Sequence, residues 1–241
     1  MTFETRHRAL ITGASSGIGR ETAIAFAKAG IDVALVSRSL AKLQALEADL
    51  IQLGVRAKAY SIDLSQLETV KASLQALVSD FGPITTLINN AGMGYTGALA
   101  DMPLADWQQV MNLNLTSVLL TIQAVLPGMR AQGGGTILNV ASVAAHNAFP
   151  NWGAYSASKA GVVSLSRVLA AEEREHGIRV MIVSPGAVNT ALWDTETVQA
   201  DFARSQMLTP EVVAQTILHT AQLPNSAVID EITLMPSGGA L

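Results

Sequence analysis

The sequence has no cysteine, so disulfides, thiol nucleophiles and thiolate metal sites are excluded from the outset. Its four histidines, His7, His146, His176 and His219, are scattered and match no zinc-ligand spacing, so no metal is expected. Charged residues make up only 14% and aromatic residues 5%. Fifteen Lys and Arg face nineteen Asp and Glu, for a net charge of −4. That balance offers no basic surface to track a phosphate backbone, and no nucleic-acid partner is expected. The start of the chain, MTFETRHRALITGASSG, enters a strand pattern early and lacks the apolar core of a signal peptide. No uninterrupted apolar run of the ~18 residues that a membrane span needs stands out. These absences lead us to expect a cytoplasmic protein without a membrane partner.

What is present is apolar. Hydrophobic residues account for 49% of the 241, enough to bury a sizeable core in one domain covering residues 1–241. Short apolar runs at 8–12, 32–37, 56–62, 86–89, 136–141, 179–184 and 228–234 alternate with helical patterns at 17–29, 40–53, 67–81, 106–132, 154–175 and 210–222. VALVS, TTLINN, TILNVAS and RVMIVS are apolar throughout, as strands covered on both faces are. Gly30, Gly54, Gly82, Gly133 and Gly177 follow five of the helices, where a left-handed cap belongs. Thr209 and Pro210 supply a cap and a first-turn proline to the last. Alternating strands and helices predict an α/β doubly wound sheet with right-handed crossovers. The one long connection of mixed character, 189–208, follows the sixth strand and is the candidate lid.

The first strand runs into Gly13-Ala14-Ser15-Ser16-Gly17-Ile18-Gly19 and then a helix. Glycines at such a turn let the backbone approach a pyrophosphate, which the helix N-terminus attracts. The spacing is G-x-x-x-G-x-G rather than G-x-G-x-x-G, so the general dinucleotide fingerprint is not matched; the position directly after the first strand favours dinucleotide binding over a purely structural turn. At the end of the second strand, Ser37 stands where a carboxylate would hold a ribose 2′-hydroxyl, and Arg38 follows. A guanidinium with no carboxylate beside it suits a 2′-phosphate, which predicts NADP(H) rather than NAD(H).

Tyr155 and Lys159 are four residues apart in GAYSASKAG and share a helix face. A cation near a phenol favours the phenolate, and a serine hydroxyl such as Ser142 can hydrogen-bond a substrate oxygen. Together with the glycine loop, these residues resemble the short-chain dehydrogenase/reductase family, and the resemblance runs through nearly the whole chain. Thr12–Gly19 resembles the family's T-G-x-x-x-G-x-G loop. Asp63, followed by Leu64, matches the adenine-contacting aspartate; Asn90, Ala91 and Gly92 lie in the N-N-A-G motif begun by Asn89. NLNLTS carries the helix asparagine, aligned at Asn114. Pro185, Gly186, Val188 and Thr190 match P-G-x-V-x-T, whose threonine holds the nicotinamide carboxamide. The chain departs from many members at its end, where EITLMPSGGAL, with Glu231 and Pro236, replaces an acidic D-G-G turn.

The resemblance implies a Rossmann-like three-layer fold with strand order 3-2-1-4-5-6-7 and hydride transfer between nicotinamide and a carbonyl or secondary alcohol. It implies Tyr155 as proton donor, Lys159 lowering its pKa and holding the nicotinamide ribose, Ser142 on the substrate oxygen, and Asn114 holding a relay water. Members that reduce 3-oxoacyl thioesters are similar. A cofactor-binding sensor without turnover is the alternative, and the complete Asn114, Ser142, Tyr155, Lys159 set argues against it. Met93, Tyr95, Val143, His146, Phe149, Trp152, Leu192 and Trp193 are the expected substrate-facing residues, with His146 read as packing in its loop. They offer no cation to grip an anion. The 106–132 helix is apolar on nearly every face and the helix after it carries small residues; both predict pairing with further copies as a dimer or tetramer.

Overall fold

The computed structural model describes residues 7–200 and 203–239. Asp201 and Phe202 of the expected lid, and the ends of the expected 1–241 domain, lie outside the described residues. Seven parallel strands form one sheet: β1 (Arg8–Thr12), β2 (Asp32–Ser37), β3 (Ala57–Ser61), β4 (Thr86–Asn89), β5 (Gly135–Val140), β6 (Ile178–Pro185) and β7 (Glu231–Leu234). Their order is β3-β2-β1-β4-β5-β6-β7, as the resemblance implied. The chain works outward from β1 to β3, then returns to β4 and works outward the other way. The carboxyl ends of β1 and β4 therefore face a crevice where the strand order reverses.

Alternation along each strand sorts the core into two layers. Ala9, Ile11, Val33 and Leu35 point to one face, where α1 (Gly17–Lys28), α2 (Leu40–Ile51) and α7 (Pro210–Ala221) supply Phe26, Leu43, Val213 and Ile217. Leu10, Ala34, Val36 and Leu87 point to the other, against α3 (Leu67–Phe81), α5 (Ser117–Ala131) and α6 (Gly153–Glu173). Burying a side chain such as Phe26 contributes roughly 2 kcal/mol each, so both layers hold the strand ends firmly in register.

The expected single helix over 106–132 is instead three pieces: α4 (Leu104–Met111), a π-helical turn (Asn112–Thr116) and α5. The apolar residues stay in helical phase on both sides of the turn, so periodicity cannot show it. The physical reason is Asn114, fully buried, whose side chain is drawn away to bond Met93 and Ser158. Val110, Val118, Ile122 and Val125 are buried, whereas Leu119 on the far side is 38% exposed. Residues Leu104–Ala131 are long and apolar enough to cross a membrane by length and composition, but one side packs beneath the sheet.

The described residues of the 189–208 connection are docked at several points. Val188 and Leu208 form a parallel bridge at its ends. The Thr197 hydroxyl donates to the Gly94 carbonyl at 2.8 Å, and the Thr96 N–H donates to the Thr197 carbonyl at 2.8 Å. Arg204 pairs with Asp194 and donates to the Thr190 carbonyl at 2.9 Å.

Candidate active site

The ends of β1 and β4 are tied at the strand reversal by Thr12. Its hydroxyl accepts the N–H groups of Asn90 (3.0 Å) and Ala91 (3.1 Å) and donates to the Ile88 carbonyl (3.3 Å). The Asn90 amide donates back to the Thr12 carbonyl at 3.1 Å. The turn that follows requires glycine on two separate grounds. Gly13 and Gly17 have φ of +68° and +52°, in the left-handed region. A Cβ on Gly19 would lie 2.3 Å from the Gly13 carbonyl oxygen and 2.5 Å from Asn90 Nδ2. Ser16 is the extended N-cap of α1 and makes no side-chain cap, and the first turn carries no acid. The first amides of α1 are thus free to receive an anion, in the direction the helix dipole favours.

Beyond the β2 and β3 ends, Ser37, Arg38, Asp63 and Leu64 line one side of the same cleft, joined by Ser39 and Lys42 from the start of α2. Burial pushes the Asp63 carboxyl up, but donors from the Ser65 backbone and hydroxyl and the charge of Arg38 outweigh it and hold it below its ordinary range. Lys42 was not expected. It lines the same cleft as Arg38 from the first turn of α2, and its nearness in sequence to Arg38 was the signal available.

At the other end, Ser142 follows β5 and caps a short 3₁₀ turn, its hydroxyl oxygen accepting the Ala144 N–H at 3.2 Å. α6 carries Tyr155 and Lys159 on one face. Burial raises the Tyr155 phenol above its ordinary pKa, and a hydrogen bond with Ser142 partly offsets this. Lys159 is 5% exposed; its Nζ donates to the Val140 carbonyl at 2.8 Å, and burial lowers its pKa to about 8. The ammonium lies 5.8 Å from the Tyr155 ring centroid. Ser142 is thus the group hydrogen-bonded to the phenol, with Lys159 one helical turn further along the same face. Asn114 sits behind the cleft wall. Its Oδ1 accepts the Met93 N–H (2.8 Å), and its Nδ2 donates to the Met93 carbonyl (2.9 Å) and the Ser158 hydroxyl (3.0 Å).

These parts share one cleft of about 920 Å³. Gly13, Ser15, Ser16, Gly17, Ile18, Asn90, Ala91, Gly92, Pro185, Gly186, Val188 and Thr190 line it together with Ser142, Tyr155 and Lys159; Gly19 packs beneath it. Of the expected substrate-facing residues, Met93, Val143, Phe149, Trp152, Leu192 and Trp193 line the cleft. Tyr95 and His146 do not: the Tyr95 hydroxyl donates to Asp106 at 2.8 Å, and His146 pairs with Glu231 at 2.5 Å. Trp152 stacks edge-on against both Tyr155 (5.3 Å) and Trp193 (5.7 Å). Asp194 and Glu196 line the cleft as well. Among the described residues no cluster of His, Asp or Glu is fit to hold a metal.

Residues 7–201 match the short chain dehydrogenase family. The chain is 36% identical to a 3-oxoacyl-[acyl-carrier-protein] reductase of Synechocystis sp., over 99% of this chain and 98% of that protein. It is 32% identical to glycine betaine reductase ATRR of Emericella nidulans, where the match covers 95% of this chain and 18% of that longer protein. Its fold superimposes with a TM-score of 0.88 on an alcohol dehydrogenase from the archaeon Thermococcus sibiricus complexed with 5-hydroxy-NADP, at 28% identity over 96% of this chain and 97% of that one. A 7α-hydroxysteroid dehydrogenase complexed with NADH and 7-oxo glycochenodeoxycholic acid gives 0.87, at 32% identity over 97% and 94%. With the sheet order, the glycine turn and the Ser142–Tyr155–Lys159 group assembled in one cleft, the chain belongs to the short-chain dehydrogenase/reductase family of oxidoreductases.

Proposed function

We propose that this protein transfers hydride between NADP(H) and an uncharged carbonyl or secondary alcohol, with Tyr155 giving and taking the proton. The observation that carries this reading is the single cleft that joins an anion-receptive glycine turn to the Ser142–Tyr155–Lys159 group. The glycine cradle, which a Cβ at Gly19 would fill, fits a dinucleotide. The amides after Gly13 would hold its pyrophosphate, Asp63 and Leu64 its adenine, Arg38 and Lys42 a 2′-phosphate, and Asn90, Thr190 and Lys159 its nicotinamide half. When bound, the nicotinamide supplies or accepts the hydride.

The protein's own groups handle the proton. The Ser142 hydroxyl, whose oxygen accepts from Ala144 and which is hydrogen-bonded to Tyr155, would turn its hydrogen to a substrate oxygen placed between them. Tyr155, protonated at neutral pH, is a proton donor to that same oxygen. Lys159, with a pKa of about 8, loses and regains a proton near neutral pH at little cost, which suits the group that resupplies the tyrosine. The Asn114 side chain is engaged with Met93 and Ser158, which fixes this residue beside the Tyr155–Lys159 turn where a relay water would be held.

The substrate end is walled by Trp152, Trp193, Phe149 and Leu192; Glu196 and Asp194, the latter paired with Arg204, line it too, and no lysine or arginine besides Lys159 is among the lining residues there. That favours a neutral ring-bearing or aliphatic ketone over an anionic one. The 36% identical relative supports a second reading, reduction of a 3-oxoacyl thioester. Following NADPH oxidation with aryl ketones, cyclic ketones, β-ketoesters and acetoacetyl thioesters separates the two. Tyr155→Phe should retain NADPH binding and lose turnover by about 10²–10⁴-fold; near wild-type turnover would overturn the assignment. Loss across every substrate class with tight NADPH binding intact would favour a cofactor sensor. The exposed Leu119 and Val168, on α5 and α6, support assembly through these helices, and a monomer by light scattering at micromolar concentration would contradict it.

A further inference from the structure

Ser158 lies between the two residues of the Tyr155–Lys159 pair in sequence and has no exposed surface. Its hydroxyl donates to the Tyr155 carbonyl at 2.7 Å and accepts from Asn114 Nδ2 at 3.0 Å. The directions of these bonds are fixed. The serine proton is given to its own helix, so its lone pairs face Asn114. Asn114 Oδ1 takes the Met93 N–H, so both Nδ2 hydrogens point away, one to the Met93 carbonyl and one to Ser158. A single carboxamide thus bridges two elements of the site. One is the Gly92–Gly94 stretch of the cleft wall; the other is the first turn of α6.

The approach is close at Gly92 in that wall. A Cβ on Gly92 would lie 3.1 Å from Asn114 Oδ1 and 3.7 Å from Lys159 Nζ. The π-helical turn that carries Asn114 makes the reach across to α6. The lysine end of the pair is held separately by the Val140 carbonyl. The tyrosine end has its backbone tied through Ser158, and only through Ser158 is it tied to Asn114.

We propose that Ser158 is a positioning residue: through Asn114 it sets the distance between the Tyr155 turn and the cleft wall against which the cofactor would lie. This rests on the proposed role of Tyr155 as proton donor. Displacing a reacting group by about 1 Å costs on the order of 100-fold in rate. Losing the Ser158 tie should therefore slow the chemical step without weakening cofactor binding.

Ser158→Ala is suited to the test because alanine is the better helix former and leaves no bulk to accommodate. The expected result is a kcat lowered about 10-fold or more, an NADPH Kd measured by fluorescence within twofold of wild type, and a displaced ionisation in the pH profile of kcat. Ser158→Thr, which restores the hydroxyl, should recover most of the loss. Asn114→Ala with Ser158→Ala should be no slower than Asn114→Ala alone, because both remove one bridge. A Ser158→Ala enzyme with kcat within twofold of wild type overturns the proposal. So does a variant whose NADPH affinity and melting temperature fall in step with kcat, since that is the mark of a merely structural residue. If Tyr155→Phe itself remained active, the proton-donor reading would fail first, and that result is read independently of Ser158.

Discussion

Two lysines line the cleft under opposite conditions. Lys42, on the first turn of α2, is exposed and stands with the exposed Arg38 at the end proposed to take the adenosine. Lys159, on α6, is 5% exposed, fixed to the Val140 carbonyl, and its pKa is lowered to about 8 by burial. The first pair of cations acts through a solvated charge, which salt weakens and which tolerates a shift in position. The buried lysine acts through location. Its charge is costly to keep, and its hydrogen bond specifies where it sits. The cleft is thus built as a recognition end of loose, screened charge and a reaction end of buried, directional bonds, and the two ends should fail differently when altered.

Removing the buried cation should give the largest effect. Lys159→Met keeps the apolar stem but loses the group that would resupply Tyr155 and hold the ribose. We expect kcat to fall by about 10³-fold, within the range of a lost proton-transfer group. Activity within threefold of wild type would erase the distinction between the two ends.

The same burial makes a stability prediction. A lysine whose folded pKa is about 8 and whose ordinary value is 10.5 binds more protons unfolded than folded between those values. Unfolding free energy therefore rises with pH across that window, by roughly 3 kcal/mol for the full shift. Below pH 8 the charged, buried ammonium contributes its full destabilisation; above about 10 it contributes none. Chemical denaturation of wild type and Lys159→Met at pH 7.5 and 9.5 checks this. The wild type should gain stability over that interval relative to the variant. A parallel response would show that the ammonium is not paying the cost its burial implies.

At the recognition end, Arg38→Asp should weaken NADPH binding by about 10–100-fold and improve NADH relative to it, since a carboxylate suits a 2′-hydroxyl and repels a 2′-phosphate. A wild-type enzyme that prefers NADH would break the NADP(H) reading outright.

The recognition end was the more legible of the two. Glycine spacing and a Ser37-Arg38 pair are local in sequence, and the backbone geometry at Gly13, Gly17 and Gly19 is what such spacing encodes. The strand alternation was legible for the same reason: burial on both faces writes itself as unbroken apolar runs in β2, β4, β5 and β6. The π-helical turn was not, because Asn112–Thr116 leaves the apolar phase of its flanking helices intact and is explained by bonds from Asn114 to Met93 and Ser158, 21 and 44 residues away. The buried ladder from Asn89 to Asn139 (2.8 Å) to Ser166 (2.8 Å) was hidden similarly, since each partner is polar in a strand or helix that reads as apolar. Glu231, conspicuous in sequence as a departure, proves to be a hub that accepts from Ser184 (2.8 Å), His146 and Arg167 (3.1 Å). Burial pushes its carboxyl up, and those three partners outweigh that and hold it below its ordinary range. Residues that act through neighbours distant in sequence are the ones that sequence spacing does not reveal.

Lys42 gives the smallest and most discriminating test. It adds to Arg38 a second exposed charge on the same side of the cleft, with no ion pair to constrain it among the described residues. Lys42→Ala should weaken NADPH about threefold at low ionic strength and leave NADH affinity unchanged, because only the phosphorylated ribose offers the extra charge. At 1 M salt, where the screening length falls to about 3 Å, the difference between wild type and variant should vanish. The loss in Lys159→Met should persist at the same salt concentration, since buried groups are screened far less. If the Lys42→Ala effect survived high salt, that lysine would be making a fixed, desolvated contact, and the division of the cleft into a screened end and a directional end would have to move past α2.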